Sequence, residues 1–174
     1  MLIPLVFILV SVSIAAYSWP SLTNPKSHGF FRFFALEGIA VLVLMNIDGW
    51  FDGPLSAFGI SSWILLLVSL FFAAEGFRVL VRFGKPAGHL DHTTRLVTVG
   101  LYKRVRHPLY GSLILFAWGM TMKSPSVLDV CLAGGVTAIL YATAKVEERE
   151  SVEKFGQEYV AYMKRSRMFI PFVF

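Results

Sequence analysis

The chain has a single cysteine, Cys131, so no internal disulfide can form. Cys131 falls in an apolar run, where a small buried hydrophobe is expected rather than a reactive thiol. Charge is scarce too. Only 16% of the 174 residues are Asp, Glu, Lys or Arg, against roughly 25% in soluble domains. No GxGxxG is present, which argues against a Rossmann-type cofactor site. No Ser-His-Asp or Cys-His arrangement suggests an activated nucleophile. His89, Asp91 and His92 are the nearest approach to metal ligands; without a fourth ligand or a recognised spacing, no metal is expected. There is no internal repeat and no low-complexity segment.

What is abundant is apolar residues, 56% of the chain, with a mean hydropathy of +0.65. The net charge of +5 would suggest nucleic acid in a soluble protein, but here no motif supports it. The Lys and Arg lie between hydrophobic segments, where they set topology and meet anionic headgroups. The expected fold class is an all-α integral membrane protein forming a single domain over 1–174, with a three-helix part over 1–80 and a catalytic core over 94–171. Five spanning helices are expected: Leu2–Trp19, Phe33–Ile47, Ser61–Phe77, Leu109–Met122 and Ser126–Ala144. The first lacks a positive n-region and reads as a retained helix rather than a signal peptide. The fourth is short and forms a helical hairpin with the fifth, broken at Lys123-Ser124-Pro125.

The connections differ in charge. Lys26 and Arg32 lie between helices one and two, and only Asp48 and Asp52 between two and three. Arg78, Arg82, Lys85, Arg95, Lys103, Arg104 and Arg106 follow helix three. The positive-inside rule then places the first and third connections and the C-terminal tail in the cytosol, and the N-terminus outside. In a prokaryote the membrane would be the plasma membrane.

In the tail, Val152, Phe155, Tyr159 and Tyr162 recur at helical spacing, so an amphipathic cytosolic helix is expected. Extended backwards, the stripe passes through Glu148, Ala144 and Tyr141, which turns Glu148 inward and puts Glu147 on the flank. Glu150, Glu153 and Glu158 read as a solvated face, with Glu150 and Lys154 spaced as an i,i+4 pair. Lys164, Arg165 and Arg167, followed by apolar 168–174, suit a return to the headgroup layer. Glu37 and Glu75, acids within apolar helices, are further functional candidates; Glu37 could equally pair with Arg32 or snorkel.

Chemistry concentrates between Gly100 and Tyr110, where Lys103, Arg104, Arg106 and His107 precede Pro108. Pro108 biases His107 to an extended conformation and suits the first turn of helix four, whose free N–H groups attract anions. Lys103 and Arg104 read equally well as membrane anchors. Glu148, if buried, needs a partner, either Arg106 or a ligand. Two adjacent acids cover two helix faces, so one can hold ligand while the other holds protein.

The pattern Gly100-x-Tyr102-x3-Arg106-His107-Pro108-x-Tyr110, then Glu147-Glu148, then Phe155-Gly156-x2-Tyr159-x2-Tyr162 and Pro171, resembles the isoprenylcysteine carboxyl methyltransferase family, grouped with the phospholipid N-methyltransferases. The resemblance covers roughly Thr94 to Pro171. It implies S-adenosylmethionine bound at the cytosolic face, between the Arg-His-Pro segment and the Glu-Glu helix. The cofactor residues it implies are Tyr102, His107, Pro108, Leu109, Tyr110 and Glu147, with the strip Thr94, Arg95, Leu96 and Val97. Arg106 and Glu148 are the implied catalytic pair. Eukaryotic prenylcysteine enzymes carry an Arg four residues before the first of these acids; here that position is Thr143, and Thr94 stands where His is usual.

The expected activity is methyl transfer to a lipophilic acceptor arriving from the bilayer, a prenylcysteine carboxylate or similar. The enzyme's main task is alignment. A carboxylate or thiolate acceptor needs no base, whereas an amine must first lose a proton. Arg106 positions an anionic acceptor or pairs with Glu148, and the Tyr102 and Tyr110 faces favour a sulfonium. Alternatives are a phospholipid N-methyltransferase, an NADPH-dependent membrane reductase of the steroid-reductase type, and a non-catalytic membrane scaffold. The absence of repeats counts against a transporter. The acceptor and the oligomeric state stay open.

Overall fold

A computed structural model describes residues 2–23, 27–85 and 94–171, so His89, Asp91 and His92 lie outside the described residues. Six α-helices run in order: α1 (Leu2–Leu22), α2 (His28–Asn46), α3 (Ala57–Gly84), α4 (Pro108–Thr121), α5 (Val127–Phe155) and α6 (Gln157–Arg165), with a 3-10 turn at Gly100–Lys103. Among the described residues there is no β-strand, only an isolated parallel bridge between Val105 and Arg167.

Four segments are long and apolar enough to cross a membrane: Pro4–Leu22, His28–Asn46, Ala57–Gly84 and Val127–Phe155. The sequence suggested five. The difference is α4, with 14 residues, which rises about 21 Å where a bilayer core is about 30 Å thick. It ends because the chain must turn through Lys123-Ser124-Pro125, after which Ser126 caps α5 by accepting from the Asp129 amide at 3.1 Å. The other helices overrun their expected limits. α3 continues to Gly84, and α5 to Phe155.

Successive helices run antiparallel, held by buried polar contacts between apolar surfaces. In α3 the Ser62 hydroxyl donates to the Gly119 carbonyl of α4 at 2.7 Å, and that of Ser69 to the Ser112 carbonyl at 2.9 Å. Between α2 and α5, Asn46 Nδ2 donates to Asp129 Oδ1 at 2.8 Å, and Gly38 lets Val136 approach where a Cβ would lie 2.7 Å from its methyl. Ser11 of α1 donates to Glu37 at 2.7 Å, which gives that acid a partner other than Arg32. Leu42, Ala117, Met120, Val136 and Leu140 fill the centre. α2 and α3 each pack on α4 without substantial packing on one another. At one end of the bundle Lys123 lies 3.6 Å from the centroid of Trp63. The other end collects the starts of α2 and α4, the ends of α3 and α5, and α6.

Several expectations are corrected here. Cys131 is exposed, because α5 turns that face away from α2 and α4. Tyr141 is also exposed, although Ala144, Glu148, Tyr159 and Tyr162 of the same stripe are buried. The stripe does not run along one continuous helix. Gly156, at φ +57 and ψ −135, ends α5 and starts α6 in a conformation that L side chains avoid. Met168 and Phe169 do not lie on a headgroup layer but are buried in the core. Glu150 is not simply solvated, since His28 of α2 pairs with it at 2.6 Å.

Candidate functional site

The segment between α3 and α4 is shaped by local chemistry. Lys85 takes a left-handed φ of 44 at the end of α3, and the Thr94 hydroxyl bonds back to its carbonyl at 3.0 Å. Gly100, at φ +58, packs so closely on α3 that a Cβ would meet a Val79 methyl at 2.8 Å. The turn that follows buries Tyr102, whose carbonyl accepts from the Tyr162 hydroxyl at 2.5 Å. The chain then runs extended beside the C-terminal segment. Arg106 N and His107 N donate to the carbonyls of Arg167 and Met168 at 2.8 and 3.0 Å, and Arg167 N returns a bond to Arg104 O at 2.8 Å. Pro108 opens α4 at its first position, as its fixed φ allows.

This docking brings Arg106 and His107 against the Glu147-Glu148 pair of α5. Arg106 Nε donates to Glu148 Oε1 at 2.7 Å, and Arg106 Nη1 donates to the carbonyls of Ser166 and Met163 at 2.5 and 3.3 Å. Lys145 adds a donor to the other Glu148 oxygen at 3.2 Å. The Arg106 and Glu148 side chains are nearly excluded from solvent, at 9% and 5% exposure. His107 lies between the acids, with Nδ1 3.8 Å from Glu147 and Nε2 3.6 Å from Glu148. Both distances exceed a hydrogen bond, and Nε2 is buried without a partner. The imidazole stacks on Tyr110, with centroids 5.5 Å apart.

Beside these groups lies a cavity of about 280 Å³. Of the residues singled out in the sequence, Arg95, Leu96, Val97, Tyr102, Arg106, His107, Leu109, Tyr110 and Glu147 line it. Thr94, Pro108 and Glu148 do not. Thr94 closes the end of α3, Pro108 is buried against Gly76, and Glu148 faces Arg106. Of the roles left open for Arg106, the structure realises the pairing with Glu148. The two acids are thus divided, one bound to protein and one facing open space. Glu75, the other apolar-helix acid, pairs with Arg78 at 2.8 Å.

The sequence did not point to Tyr17, Arg32, Leu36, Leu80 and Leu113, which also line the cavity. The signal available was Arg32 itself, a cation within an apolar helix. Thr143 is fully buried, donates to the Ile139 carbonyl at 2.8 Å and does not line this cavity.

Burial, reinforced by the negative charge of Glu147, pushes the phenols of Tyr102 and Tyr159 far above their ordinary range. Burial does the same for Tyr162. All three phenols therefore remain neutral hydrogen-bond donors at any physiological pH. With a half-exposed carboxylate, an arginine at the rim and several aromatic faces, the donor set suits a ligand bearing an ammonium, a carboxylate and a second cationic centre. Among the described residues no group of His, Cys, Asp and Glu could hold a metal ion.

Residues 58–158 match the family model described as phospholipid methyltransferase. Over 115 residues the chain is 31% identical to a methanethiol S-methyltransferase of Pseudomonas deceptionensis, covering 63% of this chain and 42% of that protein. It is 30% identical over 113 residues to methanethiol S-methyltransferase 1 of Bradyrhizobium diazoefficiens, covering 64% and 39%. Protein-S-isoprenylcysteine O-methyltransferase B of Arabidopsis thaliana is 27% identical over 119 residues, covering 63% and 54%. The chain thus spans between about two fifths and about half of the length of these relatives.

Proposed function

Because the chain belongs to the phospholipid methyltransferase family, we propose that it transfers a methyl group from S-adenosylmethionine to a lipophilic acceptor at the cytosolic membrane face. The observation that carries this reading is the division of Glu147 from Glu148. One acid is neutralised by Arg106 as part of the framework, and the other is left facing the cavity.

The residues present fit the cofactor. Glu147 would hold its ammonium, Arg95 its carboxylate, and the faces of Tyr102, Tyr110 and Tyr159 its sulfonium. When bound, S-adenosylmethionine supplies an electrophilic methyl group. His107, fixed by its stack on Tyr110, contributes its ring to the cavity wall, with Nε2 buried on the side of Glu148. Leu36, Leu80, Leu109 and Leu113 give the cavity an apolar wall that excludes water and accommodates an acyl or prenyl body. α4 is too short for a full span, so its Pro108 end and the site lie at the depth of the headgroups and upper chains. In this orientation the basic end of the bundle is cytosolic, the N-terminus is outside, and α4 and α5 form the membrane hairpin.

The test is radiolabelled methyl transfer from S-adenosylmethionine into a lipid extract and into prenylcysteine analogues, with titration of S-adenosylhomocysteine. Saturable binding that Glu147→Gln weakens about tenfold or more is expected; unchanged affinity in Glu147→Gln and His107→Ala sinks the site. The family match is to methyltransferases, which leaves the reductase alternative without support.

A further inference from the structure

Two basic runs, far apart in the chain, meet beside the start of α4. The Tyr162 hydroxyl donates to the Tyr102 carbonyl across 60 residues of sequence. A little further on, Arg167 N donates to the Arg104 carbonyl at 2.8 Å. These two ties bracket Lys103 on one segment and Lys164 and Arg165 on the other, with Arg167 at the second tie. The side chains of Lys103, Lys164, Arg165 and Arg167 are all exposed. Arg165 lies 5.9 Å from the centroid of the Tyr162 ring, and among the described residues none of the four enters an ion pair. The one acid in residues 94–110 and 157–171 is Glu158, in the first turn of α6, whereas Lys164 and Arg165 are in its last. Glu75, which approaches Gly100, is taken by Arg78 at 2.8 Å. Like charges gathered without an acid repel one another, and an anion from outside relieves that repulsion.

The surroundings select the anion. Pro108 opens the apolar α4 directly after His107, so the patch stands where the chain enters the membrane. Val99 and Ile170, large apolar residues adjoining the two runs, are exposed beside the cations. Cations mixed with apolar side chains at a membrane face suit a headgroup phosphate with acyl chains beneath it, and suit a soluble acidic partner less well.

We infer that the two segments together form a binding site for the headgroup phosphate of an anionic phospholipid. The site exists only in the folded protein, because each run supplies part of it. It is also joined to the framework of the cavity. Arg106 Nη1 donates to the carbonyls of Ser166 and Met163, and Arg106 N to that of Arg167. A headgroup bridging the runs therefore steadies the C-terminal segment against the residues that precede α4. The inference stands independently of the methyl-transfer reading.

The full-length protein in detergent is titrated with phosphatidylglycerol, with phosphatidylcholine of the same chains, with sn-glycerol 3-phosphate and with poly-L-glutamate, and its melting temperature is followed. Phosphatidylglycerol is expected to raise it saturably, by roughly 5–10 °C at a hundredfold excess over Kd, and less at high salt. The other three additions are expected to leave it unchanged. Lys103→Gln combined with Arg167→Gln is expected to need roughly ten- to thirtyfold more phosphatidylglycerol for the same shift, at about fivefold per basic residue. Arg82→Gln combined with Arg149→Gln, which removes the same charge outside both runs, keeps the wild-type requirement. No shift with phosphatidylglycerol, or an equal one with phosphatidylcholine, overturns the inference. So does a shift with glycerol phosphate, which marks a soluble phosphate site, or with poly-L-glutamate, which marks an acidic protein partner. An equal loss in the two double variants reduces the patch to diffuse attraction and overturns it too. Should the Lys103 and Arg167 double variant fail to fold, an unchanged requirement in Lys103→Gln alone is the overturning result.

Discussion

Arg106 and Glu148, 42 residues apart in the chain, meet at 2.7 Å with both side chains nearly excluded from solvent. Their adjacent residues, His107 and Glu147, stand 3.8 Å apart and line the cavity, as does Arg106. Of the four, Glu148 is the one turned away from it. The separation of the two acids follows from a helix turning about 100° per residue in α5.

The division predicts opposite phenotypes for the two acids. Glu147→Gln lowers affinity for S-adenosylhomocysteine by about 1.5–3 kcal/mol, tenfold or more, with little change in melting temperature. Glu148→Gln leaves the buried Arg106 without its counter-charge and costs about 3–5 kcal/mol of stability. Calorimetric titration and thermal melts in detergent separate them; equal melting temperatures in the two variants contradict the assignment.

The backbone at Gly100 predicts a position-specific cost. Gly100→Ala forces a left-handed φ on an L residue, worth about 1–2 kcal/mol, and presses a Cβ on Val79. Gly134→Ala, where a Cβ has nothing within 4 Å, serves as the control in the same thermal-melt series. A Gly100→Ala melt as high as the control refutes the turn geometry.

Much of this site was legible in the sequence, and the reason is local spacing. The run from Gly100 to Tyr110 and the Glu147-Glu148 pair are short-range patterns, so their meeting could be expected before any contact was known. Tyr17, Arg32 and Leu36 could not be found that way. Their place depends on α1–α2 and α2–α5 register, set by contacts such as Gly38 on Val136, far apart in the chain. Met168 and Phe169 were misplaced because an apolar tail reads alike whether it meets lipid or core. The break at Gly156 interrupts a stripe whose periodicity alone suggests one continuous helix. The outward turn of Cys131 is a matter of which side of α5 finds neighbours.

The C-terminal segment is expected to be part of the site. Phe169, buried and 6.2 Å from the His107 ring, supports that imidazole from behind. Phe169→Ala is predicted to cost about 3–5 kcal/mol and to weaken S-adenosylhomocysteine binding as well. Stability and affinity measured on one preparation check both halves; full affinity with reduced stability would confine Phe169 to packing.

The buried tyrosines predict an alkaline limit. The raised phenols of Tyr102, Tyr159 and Tyr162 favour the protonated folded state. Their contribution is fully present below the unfolded value of about 10 and declines as pH rises above it, because the unfolded state then binds fewer protons. Melting temperature should fall from about pH 10 upward. Ultraviolet titration should show these three phenols ionising only as the protein unfolds; their early ionisation in the folded protein contradicts their burial.

Closing Arg106 onto Glu148 leaves part of the cavity wall electrically quiet. A tight ion pair acts at a distance as a dipole, whose field decays faster than that of a lone charge. What a charged guest senses is then dominated by Glu147 of α5 and Arg95 of the segment after α3. These are charges of opposite sign at separate points on two elements. Such a wall exerts torque as well as attraction. A molecule carrying both signs is turned to one heading as it arrives, before any contact has closed around it.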